Sequence, residues 1–276
     1  MIQYEHKRAK TRKITREFAL CLQKINQRGR IMALTERQNE ILRQLKENKS
    51  AAVAALAKDL YVSEATIRRD LAEMQSMGLI ERSHGGALLP ENAEEISIFF
   101  RMEKNASEKE RAATKALPYI PAFKSVFIDS SSTALALAER IDLNYKTVVT
   151  NNLQTAIQLS KKPNINLILL GGSVHFNTIS ATGSWTARQL ADFSFDLMIS
   201  SCAAVIGNEV FERSLEQKEI KRVAFEHCRK RVLLIDHTKF EAHGTYRLSA
   251  LSDYDVIATD KEPSENLDVG NAKLVY

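Results

Sequence analysis

Apolar residues recur at helical spacing in three successive stretches near the start of the chain, and this pattern predicts three helices. The first runs from Thr35 to Lys46, and the second runs from Val53 to Leu60. The third lies between Ser63, a suitable N-cap, and Gly78, a residue that favours a helix end. The second and third helices are separated by a tight turn, so the pattern indicates a helix-turn-helix.

The third helix carries polar and basic side chains near its N-terminus, away from its apolar stripe. They are Thr66, Arg68 and Arg69. Arginine can form a bidentate contact with guanine or grip a phosphate, and threonine can meet a base edge or a thymine methyl group. We therefore expect this helix to enter the major groove of DNA. A solvated surface helix with two arginines would give the same local pattern.

A predicted β-hairpin follows the third helix. Residues 79–82 and 87–89 have strand-like composition, and residues 83–86 contain two successive glycines, which favour a tight turn because both accept positive φ. A hairpin in this position is typical of the wing of a winged helix-turn-helix. It would place Arg82, His84 and Gly85 near the DNA backbone or the minor groove.

The stretch VSEATIRRDLAEMQSMGLIERSHGGA resembles the DNA-binding segment of the DeoR family of bacterial transcriptional regulators. The specific part is T-I-R-R-D-L followed by a hairpin that ends in H-G-G-A. The resemblance implies a double-stranded DNA operator as partner. It also implies a set of DNA-binding residues: Ser63, Thr66, Arg68, Arg69, Arg82, His84 and Gly85.

Strands and helices alternate after Pro121, which predicts an α/β domain with a mainly parallel sheet flanked by helices. A continuous apolar strand such as 167–170 suggests burial on both faces of that sheet. A single helix is expected from Ile96 to Leu117, before the sheet begins. The predicted strands are 126–128, 147–150, 165–170, 195–200, 232–235 and 256–259, and the predicted helices are 134–140, 153–159, 185–190 and 215–228.

Small polar residues follow three of these strands, at the end of the sheet where ligands bind in α/β folds. Asp129-Ser130-Ser131-Ser132-Thr133 leads into a helix, where hydroxyls and free N–H groups favour an anion such as phosphate. Thr150-Asn151 and Gly171-Gly172 follow the next two strands. Each group is also explained by loop or helix-capping chemistry alone, but together they predict an effector site.

The family resemblance extends over residues 32–260. Asp129 to Thr133 is similar to the family's D-S-G-T-T loop, and Asp236 to Phe240 is similar to its D-S-S-K-F. The resemblance implies a Rossmann-like sensor domain, related to ribose-phosphate isomerase and CoA transferases, that binds a phosphorylated sugar or related metabolite. The family's other motifs here are V-T-N-N at 149–152, L-L-G-G at 169–172 and R-x-x-x-N-x-x-x-K at 101–109.

The same likeness implies a role for each residue of the sensor site. Ser130 to Thr133 would hold the phosphate, and Lys239 would be a cationic partner, with Lys218 or Lys221 as less certain ones. Asp129 and Asn151 would bind sugar hydroxyls. Two departures put the usual ligand in doubt, because Ser131 stands where the family loop has glycine and Ser200 to Val205 replaces a G-A-S-G-I-D-like segment.

The net charge of the chain adds little to the case for DNA binding. The formal charge is +5, but residues 1–31 contain nine Lys or Arg and two Glu, which leaves 30 basic and 32 acidic residues in the rest of the chain. Three interpretations of residues 1–31 stay open: a basic arm that contacts phosphates, a poorly ordered leader, or a segment that is not translated because a DeoR-like chain begins near Met32.

No apolar run approaches the ~20 residues of a membrane span. Three widely spaced cysteines fit reduced thiols of a cytoplasmic protein: Cys21, Cys202 and Cys228.

These observations predict a winged helix-turn-helix domain at 34–89, a linker and connecting helix at 90–120, and an α/β effector-binding domain at 121–276. The leading functional hypothesis is a repressor of a carbohydrate-metabolism operon that acts as a homo-oligomer, without cofactor or metal. The alternative is a sugar-phosphate isomerase-like enzyme with an accessory DNA-binding domain. Against it, the stretch from Ser201 to Ala204 lacks the carboxylate that such an isomerase needs, although Glu209, Glu212 and Glu216 lie close by.

Overall fold

The computed structural model describes residues 35–76, 79–88, 98–175, 177–264 and 266–276. The expectations for residues 1–31, for Gly78 as a helix end and for an acidic linker at 90–95 concern residues outside these ranges. The chain divides into two compact units. Within the described residues, the first contains 35–76 and 80–88, and the second contains the residues from 98 onwards. No helix in the described part of the chain is long and apolar enough to cross a membrane.

The N-terminal unit is a winged helix-turn-helix with one strand more than the sequence predicts. Its three strands form an antiparallel sheet in the order β1–β3–β2. The unexpected strand is β1, which pairs with the second strand of the hairpin. The elements are α1 (Glu36–Asn48), β1 (Ser50–Ala52), α2 (Val53–Asp59), α3 (Glu64–Ser76), β2 (Glu81–Ser83) and β3 (Gly86–Leu88).

A partly buried ion pair links the first helix to the third. Asp70, on α3, is 5% exposed, and its two carboxylate oxygens accept from Arg37 Nε at 2.5 Å and Nη2 at 3.1 Å. The three helices also bury apolar side chains, and they are Ile41, Leu45, Leu56, Ile67, Leu71 and Met74. The acidic residue of the T-I-R-R-D-L motif therefore positions α3, and the arginines beside it stay at the surface.

The two glycines of the hairpin serve different purposes. Gly85 has φ +91°, the left-handed conformation that glycine adopts without cost. Gly86 does not have positive φ, so of the two glycines it is Gly85 that uses the conformational freedom that favours the turn. A Cβ on Gly86 would lie 2.4 Å from the carbonyl oxygen of Ala51, because β1 and β3 approach closely there. Strands β2 and β3 reach to Ser83 and Gly86, so the turn is shorter than expected.

The C-terminal unit is an α/β domain built on a seven-stranded sheet in the order β15–β14–β12–β9–β4–β5–β6, and all six pairings are parallel. Its strands are β4 (Ser125–Ile128), β5 (Thr147–Thr150), β6 (Asn166–Leu169), β9 (Phe195–Ser201), β12 (Cys228–Ile235), β14 (Val256–Thr259) and β15 (Lys273–Val275). Its helices are α4 (Ile98–Glu103), α5 (Ala106–Ala116), α6 (Ser132–Ala138), α7 (Leu153–Leu159), α8 (Ser184–Ala191) and α9 (Leu215–Glu226).

Alternate residues of the central strands face opposite sides of the sheet. Val126 and Ile128 pack in a cluster with residues of α5 and α6, whereas Phe127 packs in a second cluster with residues of α8 and α9. Both faces of β4 are therefore covered, as the apolar runs predict. Strand β6 is different: it lies at the edge of the sheet, and Leu169 is 43% exposed. The expectation that residues 167–170 are buried on both faces is wrong.

The helix expected from Ile96 to Leu117 is interrupted. Helix α4 ends at Glu103, and α5 begins after Asn105, which has φ +54°. Asparagine tolerates this left-handed conformation better than most residues. Its side chain donates to Asp236 Oδ1 at 3.3 Å and to Thr238 Oγ1 at 3.1 Å. Local spacing alone could not reveal the break, because these contacts come from residues about 130 positions away.

Two small antiparallel sheets were not predicted. One is the hairpin of β7 (Ser173–His175) and β8 (Ser180–Thr182). The other has the order β10–β11–β13, from β10 (Ala204–Ile206), β11 (Glu209–Glu212) and β13 (Tyr246–Ala250). These short strands lie between the parallel strands in sequence, and the site described below is bordered by Thr178, in the turn between β7 and β8, and by Glu212 of β11.

We expect Gly86→Ala to destabilise the wing more than Gly85→Ala. The new Cβ at position 86 meets backbone and must displace β1 or β3, whereas at position 85 nothing lies within 4 Å and only conformational strain is added. That strain amounts to about 1–2 kcal/mol. Urea denaturation of the full chain, together with amide hydrogen exchange in 79–88, measures both effects. Equal losses for the two variants would contradict the close approach of β1 and β3.

Candidate functional site

The N-terminus of α3 is capped by side-chain hydrogen bonds. Ser63 Oγ accepts from the backbone N–H of Thr66 at 3.2 Å, and the two hydroxyls lie 2.9 Å apart. This is the N-cap role that the sequence predicts for Ser63. It also fixes the direction in which the first turn of α3, with its partly exposed Thr66, is presented to solvent.

Arg68 and Arg69 are both exposed on the outer side of α3. Arg68 Nη2 lies 2.5 Å from Glu64 Oε2, one turn earlier on the same helix. Arg69 has no ion-pair partner among the residues that the structure describes. On the wing, Arg82, His84 and Gly85 are exposed as well. The predicted DNA-binding residues therefore lie at the surface of one unit, with Thr66 partly covered.

The C-terminal unit has a polar cleft at the carboxyl ends of β4, β9 and β12, which are neighbours in the sheet. Two small adjoining cavities form it. Both are lined by Arg101, Ser131, Cys202, Arg213 and Lys239. Ser130 borders one of them, and Ser132 and Thr133 border the other. The structure thus brings the Ser130–Thr133 loop and Lys239 together, as the sequence predicts.

Ser131 fits the loop without strain, although the related loops have glycine there. Its φ is −87°, and its hydroxyl donates to Asp129 Oδ1 at 2.5 Å. Ser131 Oγ also accepts from the backbone N–H of Ala134 at 3.1 Å, so Ser131 is the N-cap of α6. The side chain therefore stabilises the turn, although it also borders the cleft.

A buried cluster of three charged side chains lies beneath the loop. Lys221, on α9, contacts Asp129 Oδ2 at 2.9 Å, Glu212 Oε1 at 2.6 Å and the carbonyl oxygen of Ser201 at 2.7 Å. All three charged side chains are at most 10% exposed. Sequence reasoning gave Lys221 only as an uncertain phosphate partner and Glu212 only as a substitute base, because nothing in a local motif shows that they pair.

The charges in this cluster shift the pKa of each member. Burial opposes ionisation of Asp129, but Lys221 and hydrogen bonds from Ser131 and Ser200 outweigh it and lower its pKa. Burial likewise opposes the charge on Lys221, yet the two carboxylates raise its pKa above the ordinary range. For Glu212, burial dominates and its pKa is raised despite Lys221. Asp129 already has five protein donors on its two oxygens, so its contact with a sugar hydroxyl stays a prediction.

The other side of the cleft is formed by the segment that joins α4 and α5. Lys109 is buried there, and its Nζ donates to the carbonyl oxygens of Arg101 and Lys104. Burial lowers the pKa of Lys109 to about 7, with smaller effects from neighbouring charges. Lys104 and Asn105 also border the cleft. This wall supplies several basic groups close to the Ser130–Thr133 loop.

At the cleft, two buried side-chain oxygens have no hydrogen-bond partner among the described residues. They are Ser201 Oγ, at the end of β9, and Asp236 Oδ2, directly after β12. The residues are 1% and 0% exposed. Buried polar atoms normally have partners, so these two favour a bound polar ligand or water at this position. The sequence showed Asp236 only as part of a motif, and it showed Ser201 only as part of the Ser200 to Val205 segment that departs from the family pattern.

Thr150, Asn151, Gly171 and Gly172 do not line this cleft. They follow β5 and β6, towards one edge of the sheet, whereas the cleft lies over its centre. Asn151 Nδ2 donates to Ala181 O at 2.9 Å, and Gly172 leaves room for Thr186, because a Cβ there would lie 2.0 Å from Thr186 Oγ1. Local packing thus accounts for Asn151 Nδ2 and Gly172, whereas the buried Asn151 Oδ1 has no hydrogen-bond partner among the described residues. Contact of these four residues with an effector stays a prediction.

Comparison with known families explains the combination of these two units. A model described as a DeoR-like helix-turn-helix domain matches residues 37–93, and one described as the DeoR C-terminal sensor domain matches residues 104–261. The chain belongs to the DeoR family. It is a DNA-binding transcriptional regulator, with its helix-turn-helix at the N-terminus and its α/β sensor domain after it.

Individual relatives agree with this family membership. The regulator GolR of Listeria innocua is 34% identical over 84% of this chain and 92% of its own. The glycerol-3-phosphate regulon repressor of Escherichia coli is 32% identical over 84% of this chain and 93% of its own. Among solved structures, ribose 5-phosphate isomerase A from Neisseria gonorrhoeae aligns over 48% of this chain and 52% of its own, with 15% identity and a TM-score of 0.35, a likeness too weak to carry an argument.

The relatives of this DeoR-family protein are named as regulators, which supports a regulator over an isomerase. The geometry agrees with that ranking. Of the acidic residues considered as substitutes for an isomerase base, Glu212 borders the cleft, but its carboxylate is paired with Lys221. No group of His, Cys, Asp and Glu in the described ranges has an arrangement that would hold a metal ion.

Lys221→Met is expected to destabilise the sensor domain strongly, by about 3–5 kcal/mol, because it leaves two buried carboxylates without a cation. Lys218→Met is the matched control on the same helix. Among the described residues, Lys218 forms its ion pair with the more exposed Glu219, so its loss is expected to stay within about 0.5 kcal/mol. Denaturant unfolding measures both, and the deficit of Lys221→Met should shrink at acid pH as the carboxylates are protonated. Similar losses for both variants would refute the role of the cluster.

Proposed function

We propose that this protein represses an operon of carbohydrate metabolism, and that a phosphorylated sugar or related metabolite in the cleft controls its affinity for the operator. The observation that carries the effector class is the lining of the cleft. Basic side chains suited to a phosphate group border it, and they are Arg101, Lys104, Arg213 and Lys239. The unpaired oxygens of Ser201 and Asp236 suit ligand hydroxyls. A relative named for a glycerol-3-phosphate regulon supports the same class.

For the DNA-binding unit, we propose that α3 enters the major groove. Thr66, Arg68 and Arg69 would contact base edges and phosphates, because they lie near the N-terminal turns of a helix whose opposite side is buried. Ser63 would present its own backbone and hydroxyl at the same end. Arg82, His84 and Gly85 would contact the backbone or the minor groove from the wing.

The effector can change operator affinity only if it binds the DNA-competent and incompetent states unequally. We propose that the protein acts as a symmetric homo-oligomer, since two-fold proteins match near-palindromic operators. Because the protein binds DNA, we also propose a cytoplasmic location.

The rival function, an isomerase-like enzyme with an accessory DNA-binding domain, requires turnover of pentose or hexose phosphates. A robust rate of turnover would overturn the proposal.

Replacing Arg68 and Arg69 together by alanine is expected to weaken binding to selected DNA at least about tenfold, since one good bidentate base contact contributes about 1–3 kcal/mol. The DNA is a duplex enriched by the unsubstituted protein from a random-sequence pool, and fluorescence anisotropy measures the affinity. Arg43→Ala is the control, because Arg43 is an exposed arginine on α1. Retained affinity and sequence preference in the double variant would mean that α3 does not read DNA.

A phosphorylated sugar that occupies the cleft is expected to raise the melting temperature of the full chain. At 100 times its dissociation constant it would add about 2.7 kcal/mol to the stability of the folded state. The shift should be lost in Lys239→Ala, which removes a cleft cation, and kept in Lys161→Ala, an exposed lysine after α7. Thermal unfolding against a panel of sugar phosphates tests this. If no compound of the panel shifts the melting temperature, the proposed effector class is wrong.

A further inference from the structure

The surface of α3 that holds Arg68 also carries a carboxylate. Glu64 is the first residue of the helix, and its Oε2 lies 2.5 Å from Arg68 Nη2. The two side chains are 46% and 55% exposed, so neither is buried by the rest of the unit. In the unbound protein, one of the two arginines proposed to contact DNA is therefore paired with an acidic neighbour.

Stability does not account for this pair. Exposed ion pairs one helical turn apart contribute little to folding, and salt weakens them. A carboxylate at the first turn does favour the helix dipole, but any acidic residue there would do so without reaching Arg68. On a helix that lies against DNA, the same carboxylate is repelled by the phosphates, so Glu64 lowers the affinity for DNA in general.

The cost of Glu64 is offset only where the duplex offers it a hydrogen-bond donor. In the major groove, the cytosine N4 amino group donates to Glu or Asp, and guanine O6 and N7 accept from Arg. Residues four apart on a helix are displaced by about 6 Å along its axis, roughly two base steps of 3.4 Å. Glu64 and Arg68 can therefore meet bases of nearby pairs at the same time.

We propose that Glu64 determines the sequence specificity of this regulator. On DNA of arbitrary sequence, Glu64 stays paired with Arg68 and keeps the arginine from contacting phosphates. Where a nearby cytosine amino group donates to the Glu64 carboxylate instead, Arg68 is free to contact guanine. The inference rests on the proposed function, in that α3 must read the operator. Beyond that function, the inference predicts that each half of the operator contains a cytosine and a guanine at nearby positions. It also predicts that Glu64 disfavours DNA without them.

The test compares the full-length protein with Glu64→Gln, which removes the charge and keeps the size. Each protein selects duplexes from a random-sequence pool, and affinities for the selected duplex and for a scrambled duplex are measured over a range of salt. Glu64→Gln should bind scrambled DNA more tightly, with a salt slope steeper by about 0.9 because Arg68 is free for one more phosphate. Its ratio of selected to scrambled affinity should fall about fivefold or more, and its selected motif should lose the cytosine.

Glu47→Gln is the matched control, because Glu47 pairs with Arg43 at 2.6 Å, also four residues apart, on α1. It makes the same change in net charge and should leave the motif and the ratio unchanged. Equal melting temperatures of the three proteins exclude a folding defect. An unchanged motif, ratio and salt slope in Glu64→Gln would overturn the inference.

The double alanine variant of Arg68 and Arg69 separates the two possible failures. If it loses the selected DNA while Glu64→Gln changes nothing, the role of Glu64 is wrong and the reading helix stands. If it keeps the selected motif, or if the unsubstituted protein enriches no motif, then reading by α3 is wrong and the inference about Glu64 is wrong with it.

Discussion

One buried ammonium group organises the sensor domain. Lys221 reaches from α9 to the end of β9, where it contacts the Ser201 carbonyl, and it neutralises one charge of the Asp129 and Glu212 pair. Asp129 in turn accepts from Ser131, Ser200 and the Ser201 backbone, so the loops after β4 and β9 share one set of partners. A buried charge that loses its partner is far more costly than an exposed one. The cleft therefore depends on a cluster that lies beneath it.

The two candidate sites rely on opposite uses of charge. On α3, cations lie at the surface, where long-range attraction to phosphates is strong, and Arg68 is paired with the exposed Glu64. In the sensor cleft, basic side chains surround a floor that holds buried acidic groups, among them Asp236, so an anion must also satisfy hydrogen-bond geometry there. The first arrangement suits a long polyanion, and the second suits a small molecule with both a charged and a hydroxylated end.

The periodicity of apolar residues predicted the long helices and strands, but it could not predict features that depend on contacts between residues far apart in sequence. Helix α1 and strands β5 and β14 lie where apolar spacing places them, because local burial determines their pattern. The break at Asn105 depends on Asp236 and Thr238, and the exposed position of β6 depends on strand order, neither of which a local pattern contains. For the same reason the motifs located Ser130–Thr133 and Lys239 but could not show that Lys221 pairs with Asp129, 92 positions away, or that Ser201 borders the cleft.

The hydrogen bonds of Asp129 have a consequence for how a ligand would act. Because Ser131 and Lys221 already hold this carboxylate, the loop that borders the cleft is preorganised, and a ligand need not order it on arrival. Conformational entropy that would otherwise be lost on binding has been lost during folding. A given set of contacts then gives tighter binding, while the size of the regulatory response still depends on the difference between the ligand's affinities for the DNA-competent and incompetent states.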